Sequence, residues 1–224
     1  MLDRFAWYRQ AAFRWSGDGL TLYIDPWMMP EDQDPADVMF ITHAHDDHFS
    51  PQDIEALRRP DTAIVAPADV ASNLSGEVTA VTPGDSGEVK GVRYQAVPAY
   101  NVLEDRQGYH PQANRWLGYI LSLGGQDVYH AGDTDHLPEL ESISAAAAFV
   151  PVGGTYTMDP GQAAALVKAM RPGVAVPMHY GFLCGSSEDA ERFREEAAPV
   201  PVEIFRPAHE FEHHKPATPD GSQP

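Results

Sequence analysis

The sequence predicts a single α/β domain. Its apolar runs are short and rich in branched and aromatic residues, as at 38–41, 62–66 and 174–178, which is the length of buried strands rather than of helices. Stretches with helix-start signals fall between such runs, including Ser50-Pro51-Gln52-Asp53 and the alanine-rich residues 159–170. The chain has 224 residues, 43% of them hydrophobic, which is enough for one sizeable core.

Taken in order, residues 5–16 are aromatic and partly alternating, Ser16-Gly17-Asp18-Gly19 is a turn, and Leu20 to Asp25 reads as a strand. The chain therefore opens with a hairpin or meander. Met28 to Asp37 is rich in proline and acids and reads as a loop. A buried strand follows at Val38-Met39-Phe40-Ile41. Ser50 caps the first helix, with Pro51 at its first position, and Arg58-Arg59-Pro60 closes it. Thr62 to Ala66 is a strand, and Pro67 to Leu74 a short helix. Val78 to Thr82 and Glu88 to Val97 are strand-like, with a tight turn at Lys90-Gly91. Ala96 to Asn101 ends a strand, and residues 102–115 form a polar loop containing His110. Trp116 to Leu123 and Asp127 to His130 make a hairpin around Gly124-Gly125. Ala145 to Val152 is an apolar strand that ends at Gly153-Gly154. Residues 159–170 are a helix capped by Thr157 or Asp159 and ended by Arg171-Pro172-Gly173. Val174 to Met178 is a strand, Ser186 to Ala197 an exposed helix started by Ser187, and Val202 to Phe205 a final edge strand. The domain is expected to span 1–206. Residues 207–224, with His209, His213 and His214, read as a flexible tail whose histidines bind metal only adventitiously.

The strand at 38–41 runs directly into Thr42-His43-Ala44-His45-Asp46-Asp47-His48. Neutral imidazoles and carboxylates clustered at a strand end suit zinc, iron or manganese. His43 and His45 can converge on one ion, while Asp47 and His48, past the turn, can serve a second. The plain alternative is a polar loop with surface histidines.

This His-x-His-x-Asp-His stretch resembles the signature of the metallo-β-lactamase-fold hydrolases. Gly132-Asp133-Thr134-Asp135 and Pro177-Met178-His179-Tyr180-Gly181 then follow in the order of that family's later landmarks, so the resemblance spans about residues 12–205. It implies a four-layer αββα sandwich with metals at the strand ends. It also implies a hydrolase acting on a small-molecule ester, lactone, thioester or phosphodiester. The implied ligands are His43 and His45 on one ion, His48 and His179 on another, and Asp133 between them, with Asp47 orienting the attacking hydroxide. The cofactors would be two divalent ions, zinc by preference, with manganese or iron as alternatives. Asp25 either supports the histidines from behind or is a turn residue before Pro26. Arg9-Gln10-Ala11 stands where relatives often carry Gly-His-Ala/Ser, a departure expected to alter a pocket wall. The third histidine usual on the first ion is missing from Pro98-Ala99-Tyr100-Asn101. We expect His110 to reach that ion, or to support it through a water, with Asn101 lining the site; the competing view leaves His110 on the surface and an extra open position on the ion, and Asn101 as the third donor is a further alternative. His130 is expected to pack rather than to ligate. Gly132 and Gly181 are expected to allow close backbone approach, and Gly154-Thr155-Tyr156-Thr157 either holds an anionic group of the substrate or only caps a helix. An iron-dependent oxidoreductase and a non-catalytic metal-sensing module are the other functions compatible with this pattern.

The formal charge of −18 argues against a nucleic-acid or anionic-membrane surface, and so for a small-molecule partner. One cysteine, Cys184, precludes an intrachain disulfide. No signal-peptide core and no apolar run near the ~20 residues of a membrane span is seen, which makes a cytoplasmic protein the expectation.

Overall fold

The computed structural model describes residues 1–209, so His213 and His214 lie outside the described residues. Two six-stranded sheets face each other. The first contains β1 (Phe5–Arg9), β2 (Ala12–Gly17), β3 (Leu20–Ile24), β4 (Ala36–Phe40), β5 (Arg58–Pro67) and β6 (Glu77–Val81), in that spatial order. The second runs from β7 (Ser86–Val89) through β8 (Val92–Pro98), β9 (Leu117–Leu123), β10 (Gln126–His130) and β11 (Ala147–Pro151) to β12 (Val174–Met178). Each sheet begins with antiparallel hairpins and ends with parallel strands. This repetition of topology has no counterpart in the letters of the sequence.

Strand alternation sorts side chains between layers. Leu22, Ile24, Val38, Phe40 and Val65 point into the space between the sheets, where they meet Tyr94, Leu117, Tyr119 and Leu121. The intervening Tyr23, Met39, Ile41 and Ile64 point outward and are covered by α1 (Pro51–Leu57) and α2 (Ala68–Ala71). The second sheet is covered by α3 (Pro160–Met170) and α4 (Ser187–Glu196). Helix, sheet, sheet, helix is the four-layer αββα order. Phe40 illustrates the inner core: its ring lies edge-on to Tyr94 at 5.6 Å and to Tyr119 at 5.1 Å. Burial of each such side chain contributes roughly 1.5–3 kcal/mol.

Several boundaries differ from the expectation. The first helix ends at Leu57, and Arg58 already pairs with Ala36. Pro60 disfavours helical geometry at Arg59 and so draws the strand start forward. Of the two caps expected for α3, Asp159 is the one used, whereas Ser186, not Ser187, caps α4. The expected last strand is reduced to one bridge between Val202 and Ala175. Pro207 bridges to Trp7, and Ala208 N–H donates to Trp7 O at 2.7 Å, so the start of the expected tail is tied to β1.

Candidate metal centre

All seven proposed site residues come from the C-terminal ends of strands on one rim of the sandwich. Residues 42–48 follow β4, His110 lies in the loop after β8, Asp133 follows β10, and His179 follows β12. Two triads form there. The donor atoms of His43, His45 and His110 lie within 4.8 Å of one another, and so do those of Asp47, His48 and His179. Asp133 sits between them: its Oδ2 is 3.2 Å from His110 Nε2 and 3.1 Å from His179 Nε2, and its Oδ1 is 3.4 Å from His48 Nε2.

The groups behind the ligands determine which ring nitrogen faces inward. Asp25 is fully buried; its carboxylate accepts from Thr42 N–H at 2.7 Å, from the Thr42 hydroxyl at 2.6 Å and from His48 Nδ1–H at 2.7 Å. A carboxylate can only accept here, so the single hydroxyl hydrogen of Thr42 is used on Asp25. The Thr42 oxygen must then accept from His43 Nδ1–H, 2.9 Å away. Both imidazoles are thereby held with Nδ1–H on the supporting group and Nε2 pointing at the cluster. Asn101 does the same for His110. Its amide N–H groups donate to Asp135 Oδ1 and to Tyr156 O, both at 3.1 Å, and its Oδ1 accepts from His110 Nδ1–H at 2.8 Å. Asn101 therefore orients His110, and its oxygen is committed to that ring.

His179 is clamped differently. Its backbone N–H donates to Gln10 O at 2.9 Å, its ring lies against the Gln10 amide, and Cys184 Sγ is 3.4 Å from Nδ1. Gln10, expected on a pocket wall, is instead wholly buried behind the ligand. Gln10, Asp25 and His179 all have left-handed backbone, with φ of 42°, 46° and 58°. Non-glycine residues in that region cost of order 1–3 kcal/mol and gather at functional sites. Gly132, also left-handed at φ 61°, has no room for a side chain: a Cβ would stand 2.5 Å from Leu117 O. Gly181 departs from the expectation, because a Cβ there would meet nothing within 4 Å; its φ of 81° is what calls for glycine.

Electrostatics of the metal-free cluster follow from burial and proximity. Burial, together with the neighbouring imidazoles, lowers His43 and His45 below the usual range. Burial acts the same way on His48, but the carboxylates of Asp133, Asp47 and Asp25 outweigh it and raise the imidazole to about 10. His179 is likewise raised by Asp133 and Asp47 against its burial. Burial disfavours the charge on Asp47, yet His48 and His179 bring it down to about 2.

The donor set fits metal ions. Among the described residues, His48 Nε2, His110 Nε2 and Asp133 Oδ1 are buried with no hydrogen-bond partner, although all face the same small volume. Unpaired buried polar atoms are costly, and a shared cation removes that cost. His43 Nε2 and His45 Nδ1 stand 3.1 Å apart, close to the roughly 3.3 Å expected of two nitrogens each ~2.05 Å from a tetrahedral zinc. The donors are imidazole and carboxylate without thiolate, which suits zinc, manganese and iron alike.

A cavity of about 260 Å³ opens onto this cluster, lined by His45, Asp47, Tyr109, His110, Asp133, Tyr156, His179 and Leu183. Tyr109 and Leu183 were not marked out by the sequence, and Tyr156 was marked out only within the 154–157 loop; aromatic and leucine side chains in otherwise polar loops were the available signal. Trp116 was also missed. It packs 4.9 Å from His43 and 4.8 Å from His45, and its indole N–H is held by Asp69 of α2 at 2.7 Å. The anion-holding role considered for residues 154–157 loses its basis. Asp159 caps α3 in a reciprocal pair with Gln162, so an acid already occupies that helix start, and Gly154 and Thr155 N–H bond within their own loop. His130 donates to Ala11 O at 3.0 Å and stacks among Phe13 and Phe149, away from the cluster.

A family model described as a β-lactamase superfamily domain matches residues 4–179. The chain belongs to this superfamily. A UPF0173 metal-dependent hydrolase of Methanopyrus kandleri is 31% identical over 93% of this chain and 99% of its own length. A solved structure from Parabacteroides distasonis, regarded as a metal-dependent hydrolase, superposes with a TM-score of 0.79 at 32% identity, covering 89% of this chain and 91% of that one. Igni18, a metallo hydrolase of Ignicoccus hospitalis, gives 0.74 at 25% identity over 93% and 98%. The metallo-β-lactamase fold expected from the motifs is thus the observed one, and the chain is a member of the UPF0173 metal-dependent hydrolases within it.

Proposed function

We propose that the protein is a dinuclear metal hydrolase that cleaves a small ester, lactone, thioester or phosphodiester with activated water. The observation that carries this reading is the pair of donor triads on either side of Asp133, with three buried donor atoms otherwise unpaired. His43, His45 and His110 would hold one divalent ion and Asp47, His48 and His179 the other, with Asp133 shared; zinc is the first choice, with manganese or iron as substitutes. When bound, the ions lower the pKa of water toward ~7 and polarise the substrate oxygen. Asp25, Thr42 and Asn101 keep the imidazole nitrogens aimed. Asp47 lines the cavity and is a carboxylate at neutral pH, so it can take the water's proton and return it to the leaving oxygen. Trp116 and the buried Gln10 exclude water from the far side of the ligands. Among the described residues no helix is long and apolar enough to cross a membrane.

The test is metal quantification of the purified protein and of His43→Ala, Asp47→Ala, Asp133→Ala and His179→Ala, followed by turnover on lactone, thioester and phosphodiester panels. Two ions per chain, fewer in each variant, and hydrolysis by the native protein are expected. Full occupancy in all four variants would sink the assignment. Oxygen or peroxide turnover on bound iron would replace it with an oxidoreductase, and metal binding without any turnover with a sensing module.

A further inference from the structure

This inference rests on the hydrolase reading and narrows it. Besides the candidate donors, the cavity is lined by Tyr109, Tyr156 and Leu183, and no lysine or arginine lines it. The Tyr109 and Tyr156 rings meet edge to face at 4.8 Å, forming one corner. The nearby guanidinium groups are engaged elsewhere. Arg106 faces Asp135 at 2.7 Å, donates to Gly154 O at 3.1 Å and to Gln162 at 2.6 Å. Arg9 lies over the Phe182 ring at 5.1 Å and against Met28 sulfur at 3.3 Å. The start of α3 carries its own acid, Asp159.

The rim has the same character. The large hydrophobic side chains that are exposed among the described residues are Met28, Val102, Leu103, Tyr109 and Leu183. Every one lies in a loop after β3, β8 or β12, on the side where the ligands sit. Apolar groups exposed together around a cleft mark a binding surface. The chain's charge of −18 adds a long-range field that opposes approach by anions.

We propose that the substrate is a neutral carboxylic ester or lactone whose non-reacting part is one compact apolar or aromatic group, seated between Tyr109, Tyr156 and Leu183. The ions' charge serves the reacting carbonyl, while a second anionic group would meet no cationic side chain in the cavity and have to shed its water without a countercharge. The volume agrees: a dry cavity of roughly 150 Å³ takes benzene, so about 260 Å³ takes a ring with a short ester arm. In the reaction the acyl C–O bond breaks, water supplies oxygen to the acyl carbon, and the leaving oxygen receives a proton, giving an acid and an alcohol.

The experiment compares phenyl acetate with 4-acetoxybenzoate, which share the reacting ester and differ by one carboxylate, on metal-loaded protein and on Leu183→Lys. The native protein should favour the neutral ester in kcat/KM by about tenfold or more, and Leu183→Lys should shrink or reverse that ratio. Equal or better hydrolysis of 4-acetoxybenzoate by the native protein would overturn the proposal. Calorimetric binding of acetophenone and 4-acetylbenzoate provides the readout without turnover. Cleavage of a thioester or phosphodiester but of neither ester would overturn this proposal and leave the hydrolase reading standing; if nothing on the wider panel is cleaved either, the hydrolase reading fails. Preference for acetophenone, lost in Leu183→Lys, then still supports a neutral ligand, and preference for 4-acetylbenzoate overturns it.

Discussion

At the scale of single residues, the centre depends on which nitrogen of each imidazole faces the cluster. Thr42 and Asp25 settle this for His43 and His48, and Asn101 settles it for His110. Asn101, at a strand end where a third histidine was expected, supports the histidine nine residues on. His110→Ala should therefore abolish tight binding at the first ion. Asn101→Ala should weaken it about 10–100-fold, the usual effect of removing a group behind a ligand, with His110 still required. Titration of each variant with zinc against a competing chelator measures both. Unchanged affinity in His110→Ala would return His110 to the surface, and loss in Asn101→Ala alone would make the amide the donor.

At the scale of elements, the loop between β8 and β9 has to be rigid enough to present His110. Asp135 secures it. One of its oxygens accepts from Val102 N–H at 2.7 Å and Leu103 N–H at 3.0 Å, and the other faces Arg106 at 2.7 Å. Arg106 in turn bonds Gly154 O, Thr157 O and Gln162, tying this loop to the one that carries Tyr156. Both partners are buried, at 7% and 2% side-chain exposure. Arg106→Ala leaves a buried carboxylate unpaired and should cost about 3–5 kcal/mol of stability. First-site metal affinity should fall with it. Urea unfolding with metal titration checks this; a stable variant with native affinity would mean the pair is dispensable. The short strands, their order and the cap at Ser50 were legible in the sequence because alternation and capping are local. Asp135 and Arg106 were not, since a Gly-Asp-Thr-Asp turn and a loop arginine reveal their pairing only after β8 and β10 lie side by side.

At the scale of the molecule, the ligands hang from both sheets, so metal binding reports on the whole sandwich. Metal at about 1,000 times its Kd stabilises by about 4 kcal/mol per site, and for a domain of this size that is a Tm rise of about 8–16 °C. Removing metal with a chelator should lower Tm by that much per ion, measured by calorimetry at matched protein concentration. The effect has a pH sign. In the metal-free protein His48 is raised from 6.5 to about 10. The stability it draws from its carboxylate neighbours is complete below about pH 6.5 and is lost as pH rises through about 10. Metal must displace that proton, so binding strengthens as pH rises. The chelator-induced drop should be larger at pH 8 than at pH 6; the reverse order would argue against His48 as a ligand.

The sequence alone determined the α/β class and the strand ends on which the candidate donors at 43, 45, 47, 48, 133 and 179 stand. Those are properties of local pattern: alternation sets the strands, and the residues after a strand end must lie on the rim. Only the tertiary structure decided the rest. It gave Asn101 a supporting role, set Gln10 and Cys184 against His179, and put an acid instead of a substrate anion at the start of α3. It also brought Tyr109, Tyr156 and Leu183 together from three separate loops into one apolar wall. These groups are distant along the chain, and their chemistry exists only where packing of the two sheets brings them within a few ångströms.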